Sequence, residues 1–480
     1  MSRAGGEGRV GRMGTLSAAA LLAGVGVAMR LSNARFYPTN WGFDAKFNWE
    51  YIAALRESWA LRAPDTLWAT SHPPLYYYLA SAIDSLAGQP AIPSAVTWIR
   101  LAGVAAGLLT VALAVRLVQR IDPGNSRRAL FAAALLLFLP AHVYMSAMLN
   151  EEIVVAAFTS VAIFVTAGVV LDPAAPRKEL WRAAAIGVAA GLAWLTKLTG
   201  VLAVAAAVLT YVWLGWRRDG WKNAAARIAV LSLAALATGG WYYLHNLWVY
   251  GYLYPFGLPA HELMFQMPPG SRGILDYVYV PVATWTDPQL LSPDLLHSVW
   301  GSTYASVWYD GHRFFLPRSG AGQQVWGTRL MVLALLPTAA FVAGGLRSAF
   351  RLARDVRGSV SARQASDGAS RGASGGEAAA AADVPLLALT ALTLAGYVLF
   401  TFRNPWFASV KGSYLLGLSL PFACWASDAL DRWSRGHWSR SVAVWTGMGL
   451  LIASVAFVFT WGLILKKAEV PGLAWSPVMP

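Results

Sequence analysis

Cysteine, charge and acidic side chains are what this chain has least of. Its single cysteine, Cys424, lies inside an apolar run, which excludes a disulfide framework and a cysteine-based metal site. Charged residues fill only 13% of the 480 positions, against 57% hydrophobic ones; a soluble protein of that balance could not cover its surface. Asp and Glu number 24 against 38 Lys and Arg, for a formal net charge of +14. No basic stripe or nucleic-acid motif accompanies that excess, which argues against nucleic acid as a partner. The basic residues cluster in short connectors instead, among them Arg120, Arg127 and Arg128; Arg177, Lys178 and Arg182; Arg217, Arg218, Lys222 and Arg227; and Arg432, Arg435 and Arg440. Loops of that kind are cytoplasmic by the positive-inside rule.

What fills the chain is apolar runs of membrane length. A helix needs ~20 such residues to cross a bilayer. The runs predict about eleven spans, near 13–30, 94–118, 129–148, 152–171, 183–197, 198–216, 227–246, 328–350, 384–402, 411–430 and 441–464. The first resembles a signal peptide, with Arg3 to Arg12 before an apolar Leu16–Met29, but Arg30 disfavours cleavage after it. Read as an uncleaved first helix starting inside, it places 119–128, 172–182, 217–226, 351–383 and 431–440, each basic or carrying several arginines, in the cytoplasm and the long segments 31–93 and 247–327 outside. The expected fold is an all-α polytopic membrane protein with amphipathic helices on its outer face. A membrane core over 1–350, including both outer loops, precedes a low-complexity, disordered cytoplasmic linker at 351–383 and C-terminal membrane helices in 384–480.

Polar chemistry concentrates in the outer segments. Asp44 opens an amphipathic stretch to Leu61 in which Phe47, Tyr51, Leu55 and Trp59 recur near helical spacing. Ser71-His72-Pro73-Pro74-Leu75-Tyr76-Tyr77-Tyr78 follows, where the prolines suit the start of a second helix over 75–86. Such helices lying on the bilayer hold Asp44 and His72 near the headgroups. The second segment carries Trp300, Tyr304 and Trp308 and ends in Trp308-Tyr309-Asp310-Gly311-His312-Arg313. Its aromatics fit an interfacial belt and equally a sugar-stacking surface.

The acidic residue in the first outer loop, followed by His72-Pro73-Pro74-Leu75-Tyr76-Tyr77 before the second span, resembles the GT-C membrane glycosyltransferases that use polyprenyl-phosphate sugars. Protein O-mannosyltransferases and aminoarabinose transferases belong to that group. Weaker echoes follow in order: Asn150-Glu151 at the fourth span, Gly191 to Gly200 with Lys197 at a hairpin, Trp241-Tyr242-Tyr243-Leu244-His245-Asn246, and Lys411-Gly412-Ser413-Tyr414-Leu415-Leu416. The likeness spans about residues 14 to 430. Four positions depart from the family pattern: Ala45 and Asn48 replace its first-loop acid or histidine, His245 its usual arginine, and Ser413 its late arginine. Lys411 is the cation nearest that last position.

The resemblance implies an inverting transfer of sugar from a polyprenyl-phosphate donor to an acceptor hydroxyl of a glycan, lipid or protein at the outer face of the cell membrane. Such a reaction needs a base, and Asp44 is the choice; as an isolated Asp before a helix it also reads as an N-cap. Lys411, Arg403, Arg313, Arg272 and a protonated His72 are candidates for the departing phosphate. Tyr76, Trp300, Tyr304 and Trp308 are candidates for the sugar pocket. Lys197 reads as a substrate contact or as a lysine snorkelling at a hairpin tip, His72 as a ligand contact or a loop hydrogen bond. Glu151 reads as a functional membrane carboxylate or an interface residue. A divalent metal on Asp44, Glu151 and His72 has suitable ligand types but no tight spacing to support it. The alternatives are a solute transporter, disfavoured by the scarcity of mid-span charge and of a convincing internal repeat, and a non-catalytic scaffold of glycosyltransferase ancestry.

Overall fold

The computed structural model describes residues 4–255, 271–316, 321–365 and 375–461. Among the described residues there is no strand. Eight helical segments of the described residues are long and apolar enough to cross a membrane: Leu16–Phe36, Ile92–Ile121, Glu152–Leu171, Leu198–Asp219, Trp221–Tyr250, Val325–Arg357, Ala381–Arg403 and Trp438–Val458. The chain is a multi-pass membrane protein.

In chain order the helices used below are α1 (Ala4–Phe36), α2 (Ala45–Glu57), α3 (Leu75–Leu86), α4 (Ile92–Ile121), α5 (Ser126–Leu137), α6 (Pro140–Met145), α7 (Glu152–Leu171), α8 (Pro176–Thr196), α9 (Val201–Leu214), α10 (Trp221–Ala235) and α11 (Trp241–Tyr250). They continue as α12 (Val299–Trp308), α13 (Ala321–Leu333), α14 (Leu335–Ala365), α15 (Gly375–Arg403), α16 (Ser419–Ser434) and α17 (Trp438–Val458).

Three of the roughly eleven expected spans do not form as uninterrupted apolar helices of full length. The stretch 129–148 breaks between α5 and α6, because Pro140 has no N–H to donate and its ring cannot follow a continuing helix. Arg30, fully buried in α1, fills the break: its guanidinium donates to the freed carbonyls of Leu136 (3.1 Å) and Leu137 (2.7 Å) and lies 3.0 Å from His142 Nδ1. The stretch 183–197 belongs to a longer helix, α8, whose first turns carry Arg177, Lys178, Glu179 and Arg182. The stretch 411–430 divides into 3₁₀ turns over Gly412–Leu418 and then α16. The expected linker 351–383 is helical at both ends, with Arg351 of α14 paired to Asp383 of α15 at 2.9 Å; positions 366–374 lie outside the described residues.

Helix α7 is the hub, packed by α4, α8, α9 and α15. Its twenty residues are apolar almost all round, as a helix enclosed by others must be. On one end of the bundle α2 buries Trp49, Ile52 and Leu55 against α3. Ser81 donates to the Ile52 carbonyl at 2.9 Å and Arg56 pairs with Asp84 at 3.3 Å. Asn48 joins the pair to the core, donating to the Leu149 carbonyl (2.8 Å) and accepting from the Tyr77 hydroxyl (2.9 Å). Asn48 thus holds the α2–α3 pair against the residues that lead into α7.

Candidate active site

Four separate parts of the chain meet at that end of α7. The first is the turn before α2. Arg100 of α4 donates to the carbonyls of Tyr37 (2.6 Å) and Pro38 (2.8 Å), fixing the approach to Phe43 and Asp44. Asp44 occupies the N-cap position of α2 with φ 55° and ψ 20°, yet its side chain makes no capping hydrogen bond. Left-handed backbone is unfavourable for a residue with a Cβ and recurs where function demands it. The turn therefore holds the carboxylate off the helix that it precedes.

The second part is Asn150-Glu151-Glu152. Asn150 accepts from the Glu152 N–H at 2.7 Å and so caps α7; carboxylates are also favoured at a helix N-terminus. The third is Lys197, just past the end of α8. Its ammonium donates to Glu151 (2.8 Å) and Glu152 (2.5 Å) and stands 4.9 Å from the centre of the Tyr414 ring. The lysine points inward, which sets aside the snorkelling alternative. The fourth part is Lys411, whose ammonium lies 3.8 Å from Asp44 Oδ2, 4.5 Å from the Phe43 ring and 5.9 Å from that of Tyr414.

The three carboxylates are unequal. Side-chain exposure is 33% for Asp44 but 5% for Glu151 and 4% for Glu152. Burial alone would raise the Glu151 pKa, but the charges of Lys197 and His72 together with the Lys197 hydrogen bond hold it down at about 2. It is a fixed counter-charge. Burial lowers the His72 pKa, as do the nearby lysines, against the opposing pull of Glu151 and Asp44. Burial also works against the charge on Lys411, but Tyr414 and Asp44 raise its pKa, so the ammonium persists. Tyr76 is buried beside Asn150, in the field of Glu151.

The structure thus brings together Asp44, His72, Tyr76, Glu151, Lys197 and Lys411. The remaining sequence candidates lie elsewhere. Trp308 is buried in the main core, edge-on to Phe422, and Tyr304 donates to the Met331 carbonyl at 2.7 Å; both are packing residues rather than pocket walls. Trp300 is half-buried against Tyr397. Arg313 (φ 58°) sits in a turn organised by Asp310, which accepts from the N–H groups of Phe314, Phe315 and Leu316. Arg403 is exposed in the last turn of α15, and Arg272 donates to the Leu296 carbonyl at 3.4 Å.

Sequence reasoning did not assign Glu152, Phe43, Tyr414 or His312 to the site. Glu152 adjoins a candidate, and Tyr414 follows Lys411 by three residues within a quoted motif. His312, whose ring lies 5.3 Å from that of Phe43, adjoins the candidate Arg313 within a quoted segment. Glu151 is taken up by Lys197, and among the described residues no group of three or more His, Cys, Asp or Glu is arranged to hold a metal ion. The side chains at this site do not fit the divalent metal considered from sequence.

Residues 71–242 match the model of a family described as dolichyl-phosphate-mannose-protein mannosyltransferase. The match opens one residue before His72 and takes in Glu151, Glu152 and Lys197. Among solved structures, the oligosaccharyltransferase of Archaeoglobus fulgidus, determined with Zn and sulfate, aligns with 92% of this chain and 53% of its own, at 14% identity and a TM-score of 0.50. The chain has a GT-C fold. ArnT from Cupriavidus metallidurans in the apo state aligns with 87% of this chain and 80% of its own, at 16% identity and a TM-score of 0.40. Arabinosyltransferase EmbB from Mycobacterium smegmatis aligns with 96% and 42%, at 14% identity and a TM-score of 0.40. This GT-C chain spans about half the length of the archaeal oligosaccharyltransferase. No curated protein matches it by sequence.

Proposed function

We propose that this GT-C chain is an inverting glycosyltransferase, moving a sugar from a polyprenyl-phosphate donor to an acceptor hydroxyl at the outer face of the membrane. The observation that carries the reading is the state of Asp44. It is the one solvent-reached carboxylate of three, released from capping its own helix and paired at 3.8 Å with the largely enclosed Lys411. A base must be accessible to the acceptor, and Glu151 and Glu152, enclosed and clamped on Lys197, are not.

Asp44 takes the proton of the acceptor hydroxyl as its oxygen bonds to the anomeric carbon. The bond from that carbon to the phosphate oxygen breaks on the opposite face, inverting the centre as an inverting glycosidase does with water. The electron pair leaves with the polyprenyl phosphate. Lys411, with Lys197 behind it across the Tyr414 ring, supplies the positive charge that the leaving group needs. The description of the matching family, which names a dolichyl-phosphate sugar, supports a lipid-phosphate donor. The gathering of arginines in connectors of opposite parity supports the outer face.

The test is transfer by purified protein in lipid from a panel of radiolabelled polyprenyl-phosphate sugars to membrane extract, wild type against Asp44→Asn. Transfer from one donor that vanishes in a folded variant is the expected outcome. Equal transfer by both proteins would remove Asp44 from the mechanism, and solute uptake independent of any sugar lipid would remove the enzyme.

A further inference from the structure

Outside the eight spans, the described residues carry one dense apolar stretch with little cover. It is Ile274-Leu275-Asp276-Tyr277-Val278-Tyr279-Val280-Pro281-Val282, and Ile274, Leu275, Val278 and Val282 are each 70–82% exposed. Its one charged residue, Asp276, turns back on the chain, accepting from the Gly273 N–H at 2.8 Å. Apolar surface concentrated in this way marks a contact with a partner or a membrane.

The position of the stretch selects the membrane. The Tyr277 hydroxyl lies 3.0 Å from Thr401 Oγ1 and 3.3 Å from the Val398 carbonyl, both in the last turns of the α15 span. Val398 precedes the terminal Arg403 by five residues. At a 1.5 Å rise per residue it lies about 7 Å inside the end of that span. Beside it Leu399 and Phe402 of the α15 span are exposed, so the apolar stretch continues the exposed apolar surface of a membrane-length helix. Its inner side is held as well. Ser298 donates to the Tyr279 carbonyl at 2.6 Å, and Tyr277 packs in a cluster with Val299, Tyr397 and Tyr414.

We infer that residues 274–282 are an interfacial anchor, inserted among the lipids of the leaflet at the Arg403 end of α15 and walling the charged cluster off from the bilayer. The depth matches the ~5–10 Å to which interfacial segments sink at the headgroup–acyl boundary, and paired tyrosines suit that level. The surface is made for lipid rather than for a soluble partner.

Cys424 is buried, so an introduced cysteine is the single site for a spin label. Leu275→Cys, Val278→Cys and Val282→Cys would be labelled in the full chain in liposomes. Collision with oxygen, which partitions into lipid, would then be compared with collision with a water-soluble nickel chelate. Lys178→Cys, in the exposed first turn of α8, is the aqueous reference. The expected result is an oxygen-to-nickel ratio severalfold above that of position 178 at all three sites. A ratio equal to the reference would overturn the inference in favour of a water-exposed loop. Labels shielded from both reagents would overturn it in favour of a second copy of this chain. Because the three side chains face outward, a folding failure at one leaves the other two to decide.

Discussion

Lys411 and Asp44, from opposite ends of the chain, form an ion pair at 3.8 Å that is looser than the 2.8 and 2.5 Å contacts of Lys197 with Glu151 and Glu152. The difference separates two roles within one cluster. In the proposed reaction the tight, enclosed triad fixes charge in place, and the loose, half-open pair leaves its carboxylate to accept a proton. Four expectations follow from that division and from the backbone that supports it.

Asp44→Gly should divorce stability from activity. Glycine adopts φ 55° without a Cβ penalty, and no capping bond is lost. The variant should match the parent in thermal unfolding to within about 1 kcal/mol, while sugar transfer falls by about a hundredfold or more through loss of the base. A variant that unfolds and stops working together would mean that Asp44 is structural.

Lys197→Met strands two buried carboxylates, and breaking a buried pair in this way typically costs about 3–5 kcal/mol. The triple variant with Glu151→Gln and Glu152→Gln should recover most of that loss in denaturant titrations in detergent. Transfer should stay low in both, because Lys197 no longer lends its charge to the phosphate. Recovered transfer in the triple variant would limit Lys197 to balancing the glutamates.

The Glu151 pKa is about 2 in the folded protein, against an ordinary value of 4.5. A carboxyl depressed on folding stabilises fully above its unfolded pKa, and the contribution disappears as pH falls through the folded value. Stability should therefore decline between pH 4.5 and 2 in the wild type, and Glu151→Gln should flatten that part of the profile. Unfolding temperatures across the window, measured in the same lipid, check the slope.

Gly412→Ala tests how closely the 3₁₀ segment that follows Lys411 is seated. A Cβ at this position would come within 2.8 Å of the Val307 backbone nitrogen, and the Gly412 N–H is already committed to Ser306 Oγ at 2.7 Å. Overpacking of this kind costs about 1–3 kcal/mol, and relief requires moving the neighbouring Lys411. We expect a weaker donor KM and a lower kcat together; unchanged kinetics in a folded variant would show that Lys411 tolerates displacement.

Legibility differed from feature to feature, and the reason is the range of the forces involved. An apolar run of bilayer length satisfies its backbone within four residues, so α4, α7 and α17 could be located from the chain alone, as could the amphipathic α2 and the proline-started α3. The count of spans was less legible. Pro140 breaks its helix at a place where a buried arginine from α1 can receive the freed carbonyls, and that is a tertiary event.

Sequence alone determined that this is a helical membrane protein with its polar chemistry gathered beyond the spans, and it singled out Asp44, His72, Lys197 and Lys411 by residue type and motif. Only the tertiary structure decided that these four meet, that Glu152 joins Glu151 on Lys197, and that Tyr304 and Trp308 face the core. Helix formation is set by neighbours along the chain, whereas the direction of a side chain at a helix end or in a loop is set by whatever packs there from distant segments. A site assembled from four such ends is therefore written in the sequence as parts, and its geometry exists only once α7 has drawn them together.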